Sequence, residues 1–209
     1  MTSNRTPVIA AIVLAAGSSR RFGVDNKLLI EIDGRPLVNR VIEAFEAAGI
    51  ARIVVVTGHD MERVEAIASV PGRHFVHNDR HGEGMGTSVA AGVAALDADV
   101  DGVLIAQGDM PAIDASLVAT LCRHFVDTGC NRIVHPLLAD GRQGNPVIWP
   151  RRLFDKLRAL TGDKGGKRLM EAEGAGTVGV VIAGDAAATD IDTPQELAAY
   201  LAARASQPS

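Results

Sequence analysis

Residues 8–27 read VIAAIVLAAGSSRRFGVDNK, and this stretch decides the fold. Residues 8–13 run without a polar break, as a strand buried on both faces requires. The run then empties into Gly, Ser and Arg before it reaches Lys27. A strand that opens into a small-residue loop presents bare backbone N–H groups, and these, with Arg21 and Lys27, suit a polyphosphate. An ordinary strand-to-helix turn with exposed basic residues is the plainer alternative, and the rest of the chain has to decide between them.

Further apolar runs at 52–57, 74–77, 102–107, 131–136, 145–149 and 177–183 join the first, at 8–14, as strand candidates. Helix-period segments alternate with them at 36–48, 60–69, 86–96, 114–127, 151–160, 164–173 and 193–204. Such alternation predicts a three-layer α/β/α fold with a doubly wound, mostly parallel sheet of about seven strands. Residues 131–136 and 145–149 are separated by a polar loop with no helix, so one of these strands is expected to run antiparallel. In such sheets the ligand lies beyond the carboxyl ends of the strands, which points to loops 14–27, 57–60, 78–88 and 107–111.

The chain of 209 residues fits a single domain spanning 1–209, with 1–6 and 205–209 expected to fray. Its 47% hydrophobic and 22% charged residues are those of a soluble globular protein. A net charge of −4 and only 3% aromatic residues argue against nucleic acid as a partner. No apolar run approaches the ~20 residues of a membrane span. The apolar stretch near the N-terminus is short and forms the first strand, so it is not read as a secretion signal. Cys122 and Cys130 make neither a disulfide framework nor a CxxC site, and a cytoplasmic setting is expected.

The loop after the first strand is neither of the common phosphate loops. Gly17 and Gly23 have the wrong separation for GxxxxGK[ST], and GSSRRFG is not GxGxxG. Asp109, in QGDMP, follows the most apolar strand, and because Asp114 serves as the cap of the next helix, Asp109 is free to hold a hard divalent cation. In TDIDTPQEL, residues 189–197, Thr193 or Asp192 caps the last helix with Glu196 placed for a capping box. Asp190 and Asp192 flank Ile191, so both carboxylates face one side and either supplies a second metal ligand. GEGMGTS, residues 82–88, lets a flat ligand lie against backbone, with Thr87 or Ser88 the helix cap in the plainer reading. LTGDKGGKRLM, residues 160–170, reads as a flexible loop closing over an anion, or else as a glycine-rich helix start. The six histidines are expected to be incidental, and Cys122 to be packing.

In order along the chain, LAAGSSRRFG, GEGMGTSVAAG, GDMP, GNPV, LTGDKGGKRL and DIDTP resemble the MobA-like nucleotidyltransferase superfamily, and within it the molybdenum cofactor cytidylyltransferases. Leu14, Ala15, Ala16, Gly17, Ser19, Arg21, Gly23 and Lys27 match its LAAGxSxRxGxxK signature, although three residues precede Lys27 where two are usual. The resemblance implies Mg²⁺-dependent transfer of CMP from CTP to the phosphate of a molybdopterin-type acceptor, with release of pyrophosphate. It implies that Arg21, Lys27 and Asp109 are catalytic, and that Asp109 and Asp192 hold the metal. Leu14, Ala15, Ala16, Gly17, Ser18, Ser19, Arg21 and Lys27 would bind the nucleotide, with Asn78, Gly84, Met85 and Ser88 at the base. Asn145, Asp163, Lys164, Gly165 and Arg168 fall where the family binds its acceptor. Ala16 and GMGTS resemble the cytidylyl branch, since guanylyl-transferring relatives tend to carry LAGG, and the methyl group of Ala16 narrows the base pocket. The alternatives are transfer from GTP, a sugar or polyol phosphate acceptor, or a non-catalytic carrier that serves a molybdenum hydroxylase. A redox enzyme is disfavoured by the missing GxGxxG.

Overall fold

A computed structural model of the protein describes residues 5–22, 26–70, 73–163 and 165–205. The first strand, β1 (Ile9–Ala15), leads through a small hairpin, β2 (Glu31–Ile32) and β3 (Arg35–Pro36), into α1 (Leu37–Ala47). There follow β4 (Ile53–Thr57), α2 (Met61–Ala68), β5 (Arg73–His77), α3 (Met85–Ala94), β6 (Gly102–Gln107) and α4 (Ala115–Asp127). The last part holds β7 (Ile133–Leu137), β8 (Val147–Pro150), α5 (Phe154–Arg158), α6 (Gly165–Glu173), β9 (Thr177–Val181) and α7 (Pro194–Ala205).

Seven strands form one sheet in the order β5-β4-β1-β6-β8-β7-β9. β1 pairs in parallel with both β4 and β6, while β8 runs antiparallel to β6 and to β7. The sheet is therefore the expected mixed one, and β8 is its antiparallel strand. Alternation along the strands builds two cores. Ala11, Val13 and Ala15 of β1 face Val41, Phe45, Leu121 and Phe125 of α1 and α4. Ala10 and Ile12 face the other way, toward Val89, Val93 and Leu157 of α3 and α5. Both faces are thus covered, which explains why β4 is buried at every position.

Departures from the expected elements are local. The hairpin 31–36 forms where no strand was expected and takes the first residue of the helix expected over 36–48; it turns on Asp33 and Gly34, with φ of 54° and 73°. That is the two-residue turn that an Asp-Gly pair favours. The helix expected over 151–160 opens with a 3₁₀ turn at Arg151–Leu153 before α5. α3 begins at Met85 with Gly84 as its N-cap, so neither Thr87 nor Ser88 caps it. Of the segments expected to fray, 1–4 and 206–209 lie outside the described residues, whereas Arg5 pairs with Asp101 at 2.6 Å and Ala205 ends α7. Among the described residues no helix is long and apolar enough to cross a membrane.

The chain runs outward from β1 to β4 and β5, then returns to β6 on the other side of β1. The crevice of such a sheet opens where the order reverses, at the carboxyl ends of β1 and β6. Residues 16–19 and 108–109 lie there.

Candidate active site

The loop after β1 is built to plant one lysine. Ser19 adopts a left-handed φ of 47°, and its Oγ donates to Asn26 Oδ1 at 3.1 Å and accepts from Lys27 N at 3.2 Å. Asn26 is buried. Its Oδ1 also accepts from Leu28 N at 3.0 Å, and its Nδ2 donates to Asp60 Oδ2 at 3.3 Å. The foot of the loop is therefore pinned on both sides of Lys27, while Gly23, Val24 and Asp25 lie outside the described residues. The longer spacing before Lys27 does not keep it from the site.

The Lys27 ammonium sits between two carboxylates, 2.5 Å from Asp109 Oδ2 and 2.6 Å from Asp192 Oδ1. Arg21 reaches the other oxygen of Asp192 at 2.8 Å. A backbone bond from Ile191 N to Asp109 O, 3.0 Å, sets this register. Buried Ile191 anchors the segment beside β6, and Asp192 reaches Lys27 and Arg21. Asp190 is exposed and forms no hydrogen bond or ion pair with a described residue, though its charge is felt at Asp109. The expected capping box is present: Glu196 N donates to Thr193 Oγ1, and Glu196 Oε2 accepts from Asp192 N at 2.8 Å. Capping thus uses Thr193 and leaves the Asp192 carboxylate free to face the site.

Burial works to lower the Lys27 pKa, but the charge and hydrogen bonds of Asp109 and Asp192 outweigh it and hold the ammonium above its ordinary value. For Asp109 burial dominates and pushes the carboxyl up, with Lys27 offsetting part. At Asp192 burial is outweighed by Lys27 and Arg21, and the carboxyl falls below its usual range. Asp109 Oδ1 is buried with no hydrogen-bond partner among the described residues. An orphaned carboxylate oxygen beside a second carboxylate is the donor set a hard divalent cation takes. Among the described residues no three His, Cys, Asp or Glu gather as a ready cage, so phosphate oxygens and water would complete the shell.

Leu14, Ala16, Gly17, Ser18, Ser19, Arg21, Lys27, Gly84, Met85 and Ser88 line one cleft of about 1060 Å³ together with Asp109 and Asp192. Ala15 and Asn78 stand behind it. Ala15 packs into the core under α1. Asn78 is buried and spends its amide hydrogens on Thr87 Oγ1, 2.9 Å, and Ser88 Oγ, 3.0 Å, so it holds the loop 78–88 in shape. Two residues that the sequence reading passed over, His59 and His81, also line the cleft, their rings 6.2 Å apart. Gly58, between Ala16 and His81, has no room for a side chain, since a Cβ there would lie 2.8 Å from the Cβ atoms of both. Their position was readable from the carboxyl-end rule, but a lone histidine in a loop carries no pattern of its own.

A second chamber of about 580 Å³ shares Leu14, Met85 and Gln107 with the first. Asn145, Trp149, Lys167 and Met170 line it. The residues expected at the acceptor do not all gather there. Asp163 lines the first cleft and accepts from Met85 N at 3.0 Å. The anion at the start of α3 is therefore the protein's own side chain, with Gly162 O accepting from Gly86 N beside it. Gly165 starts α6, so 165–173 is a helix and not an open loop. Arg168 is exposed and lines neither cavity, and Lys164 lies outside the described residues.

The family model for the MobA-like NTP transferase domain matches residues 11–178. A curated relative, the bifunctional protein GlmU of Agrobacterium fabrum, is 36% identical over 110 residues, which is 51% of this chain and 24% of that protein. The chain thus spans about a quarter of the length of the curated relatives it matches. Among solved structures, the Rv0371c homologue from Mycobacterium sp. strain JC1 superposes with a TM-score of 0.82 at 28% identity, covering 93% of this chain and 96% of that one. Rv0371c of Mycobacterium tuberculosis in complex with manganese gives a TM-score of 0.78 at 22% identity, covering 93% and 98%.

Proposed function

The chain belongs to the MobA-like NTP transferase family, and we propose that it transfers CMP from CTP to the phosphate of a molybdopterin-type acceptor, releasing pyrophosphate. The observation that carries the nucleotidyl step is the meeting of Lys27, Arg21, Asp109 and Asp192 at the mouth of the β1 loop. Arg21 and Lys27 would bind the triphosphate, and Asp109 and Asp192 would hold Mg²⁺. A divalent cation bound there supplies charge neutralisation at the α-phosphate and the leaving pyrophosphate. An acceptor phosphate oxygen attacks the α-phosphorus, and the bond to the bridging oxygen breaks with its electron pair leaving on pyrophosphate. The acceptor phosphate is already ionised at neutral pH, so its attack needs no general base.

Leu14, Ala16, Gly17, Ser18 and Ser19 bind the nucleotide, with Ala15 holding the loop from the core and Asn78 shaping the segment that presents Gly84, Met85 and Ser88 to the base. The methyl group of Ala16, crowded against Gly58, narrows the base end and favours a pyrimidine. The acceptor body enters the second chamber beside Asn145, which Gln107 joins to the nucleotide cleft. Gly166 and Lys167 line that chamber, within the segment 163–168 that also carries Asp163, Lys164, Gly165 and Arg168. We place the activity in a single domain, 1–209, of a cytoplasmic enzyme that serves a molybdenum hydroxylase. A second reading is transfer to a sugar or polyol phosphate, because the family match fixes a nucleotidyltransferase domain and leaves the acceptor open.

Pyrophosphate release decides between them. With Mg²⁺ and the molybdopterin cofactor, release from CTP is expected to exceed release from GTP, and sugar phosphates are expected to be poor acceptors. Release with neither nucleotide would leave a carrier. Asp109→Asn is expected to lower kcat by at least about 10³-fold with the fold intact. Unimpaired turnover in that variant would remove Asp109 from the metal site.

A further inference from the structure

We propose that Lys27 is the resident counter-ion of the Asp109–Asp192 pair and gates the cation site, so that a divalent cation enters only as the triphosphate draws the lysine away. This rests on the reading of those carboxylates as metal ligands. The Lys27 Nζ lies at hydrogen-bond distance from both, and its side chain is only 12% exposed. With Arg21 on Asp192, two negative charges already meet two positive ones. A divalent cation arriving alone would either share this desolvated space with an ammonium or force it out with no new anion to meet.

A triphosphate changes that balance. It brings the anionic oxygens that Lys27 and Arg21 need, and the carboxylates are released together. The geometry allows this without moving the backbone. Ser19 and Asn26 pin the peptide around Lys27, while the four-carbon stem leaves the ammonium free to swing. Asp109 contributes a second sign. Only one of its oxygens is bound by Lys27, while the other is buried without a partner among the described residues, so the lysine serves the pair incompletely. Lys27 is then a positioning residue as well as a phosphate ligand: it keeps the two carboxylates together in the free protein.

Mn²⁺ binding, followed by electron paramagnetic resonance and water-proton relaxation, tests this. Wild type is expected to bind Mn²⁺ alone weakly. Lys27→Ala and Lys27→Gln are expected to bind it at least about tenfold tighter, although both lose turnover. Adding CTP should tighten protein-bound Mn²⁺ by a similar factor in wild type and by much less in the Lys27 variants. Wild type that binds Mn²⁺ equally with and without CTP would overturn the proposal whatever the variants do, including variants that fail to fold. So would folded Lys27 variants that bind no tighter. Asp109→Asn separates the two levels. If it keeps wild-type Mn²⁺ binding with CTP present, the metal reading fails; if it loses that binding while the Lys27 variants gain none, only the gate fails.

Discussion

Cys122 stands on α4, half-buried against the core, and burial pushes its thiol up to about 11. It is a packing side chain, with a pH consequence that can be measured. In the unfolded chain the thiol ionises near its ordinary 9.0, whereas in the folded protein it stays neutral. Its contribution to stability is therefore fully present below that value and is lost as pH rises toward the folded one. Between about pH 8 and 10.5, wild type is expected to lose about 2 kcal/mol more unfolding free energy than Cys122→Ala in urea titrations. A gap that stays constant with pH would refute the assignment. At this scale the sequence was informative wherever a residue followed a buried strand. Asp109 was legible for that reason. Asp192 could not be told from Asp190, because the choice is made by the backbone bond between Ile191 and Asp109, a contact across 82 residues of chain. The histidines lay in loops that the carboxyl-end rule already marked, but their approach to Ala16 was not legible, because only the fold brings Ala16, Gly58 and His81 together.

At the level of elements, strands and helices were legible because a two-sided sheet demands continuous apolar runs and its helices demand a 3.6-residue stripe. The hairpin 31–36 escaped because strands of two residues carry no period, although its Asp-Gly turn was in plain sight. Packing between elements leaves a mark that periodicity does not carry. Gly102 opens β6 directly beneath α4, where a Cβ would overlap two ring carbons of Phe125. Both residues are fully enclosed, so the ring has nowhere to retreat. Gly102→Ala is expected to cost about 1–3 kcal/mol in chemical denaturation, with kcat unchanged because the site lies at the opposite end of β6. Combining it with Phe125→Leu should recover part of that loss. Independent, additive losses would show that the ring and the added methyl group do not meet.

At the scale of the whole molecule, the alternating pattern predicted the layers and the antiparallel strand but left the order of strands open. That order is what sets β1 beside β6 and opens a crevice there. A ligand spanning the crevice should stabilise the entire fold. CTP with Mg²⁺ at about 100 times its dissociation constant is expected to add about 2.7 kcal/mol, which for a chain of this size is roughly 5–10 °C in Tm. GTP at equal concentration should give a smaller rise in a thermal-shift measurement. A larger one would overturn the assignment of a pyrimidine base.

The lysine that joins Asp109 and Asp192 has a consequence for how the molecule can be divided. Its partners lie 82 and 165 residues along the chain, on opposite sides of the exposed turn at residues 139–142. A chain cut in that turn leaves Lys27 and Asp109 in one fragment, with Asp192 and Asn145 in the other. Neither fragment holds a cation site, an acceptor chamber or a balanced charge cluster. Chemistry would return only on reassembly, which makes the intact site a natural reporter of fragment complementation.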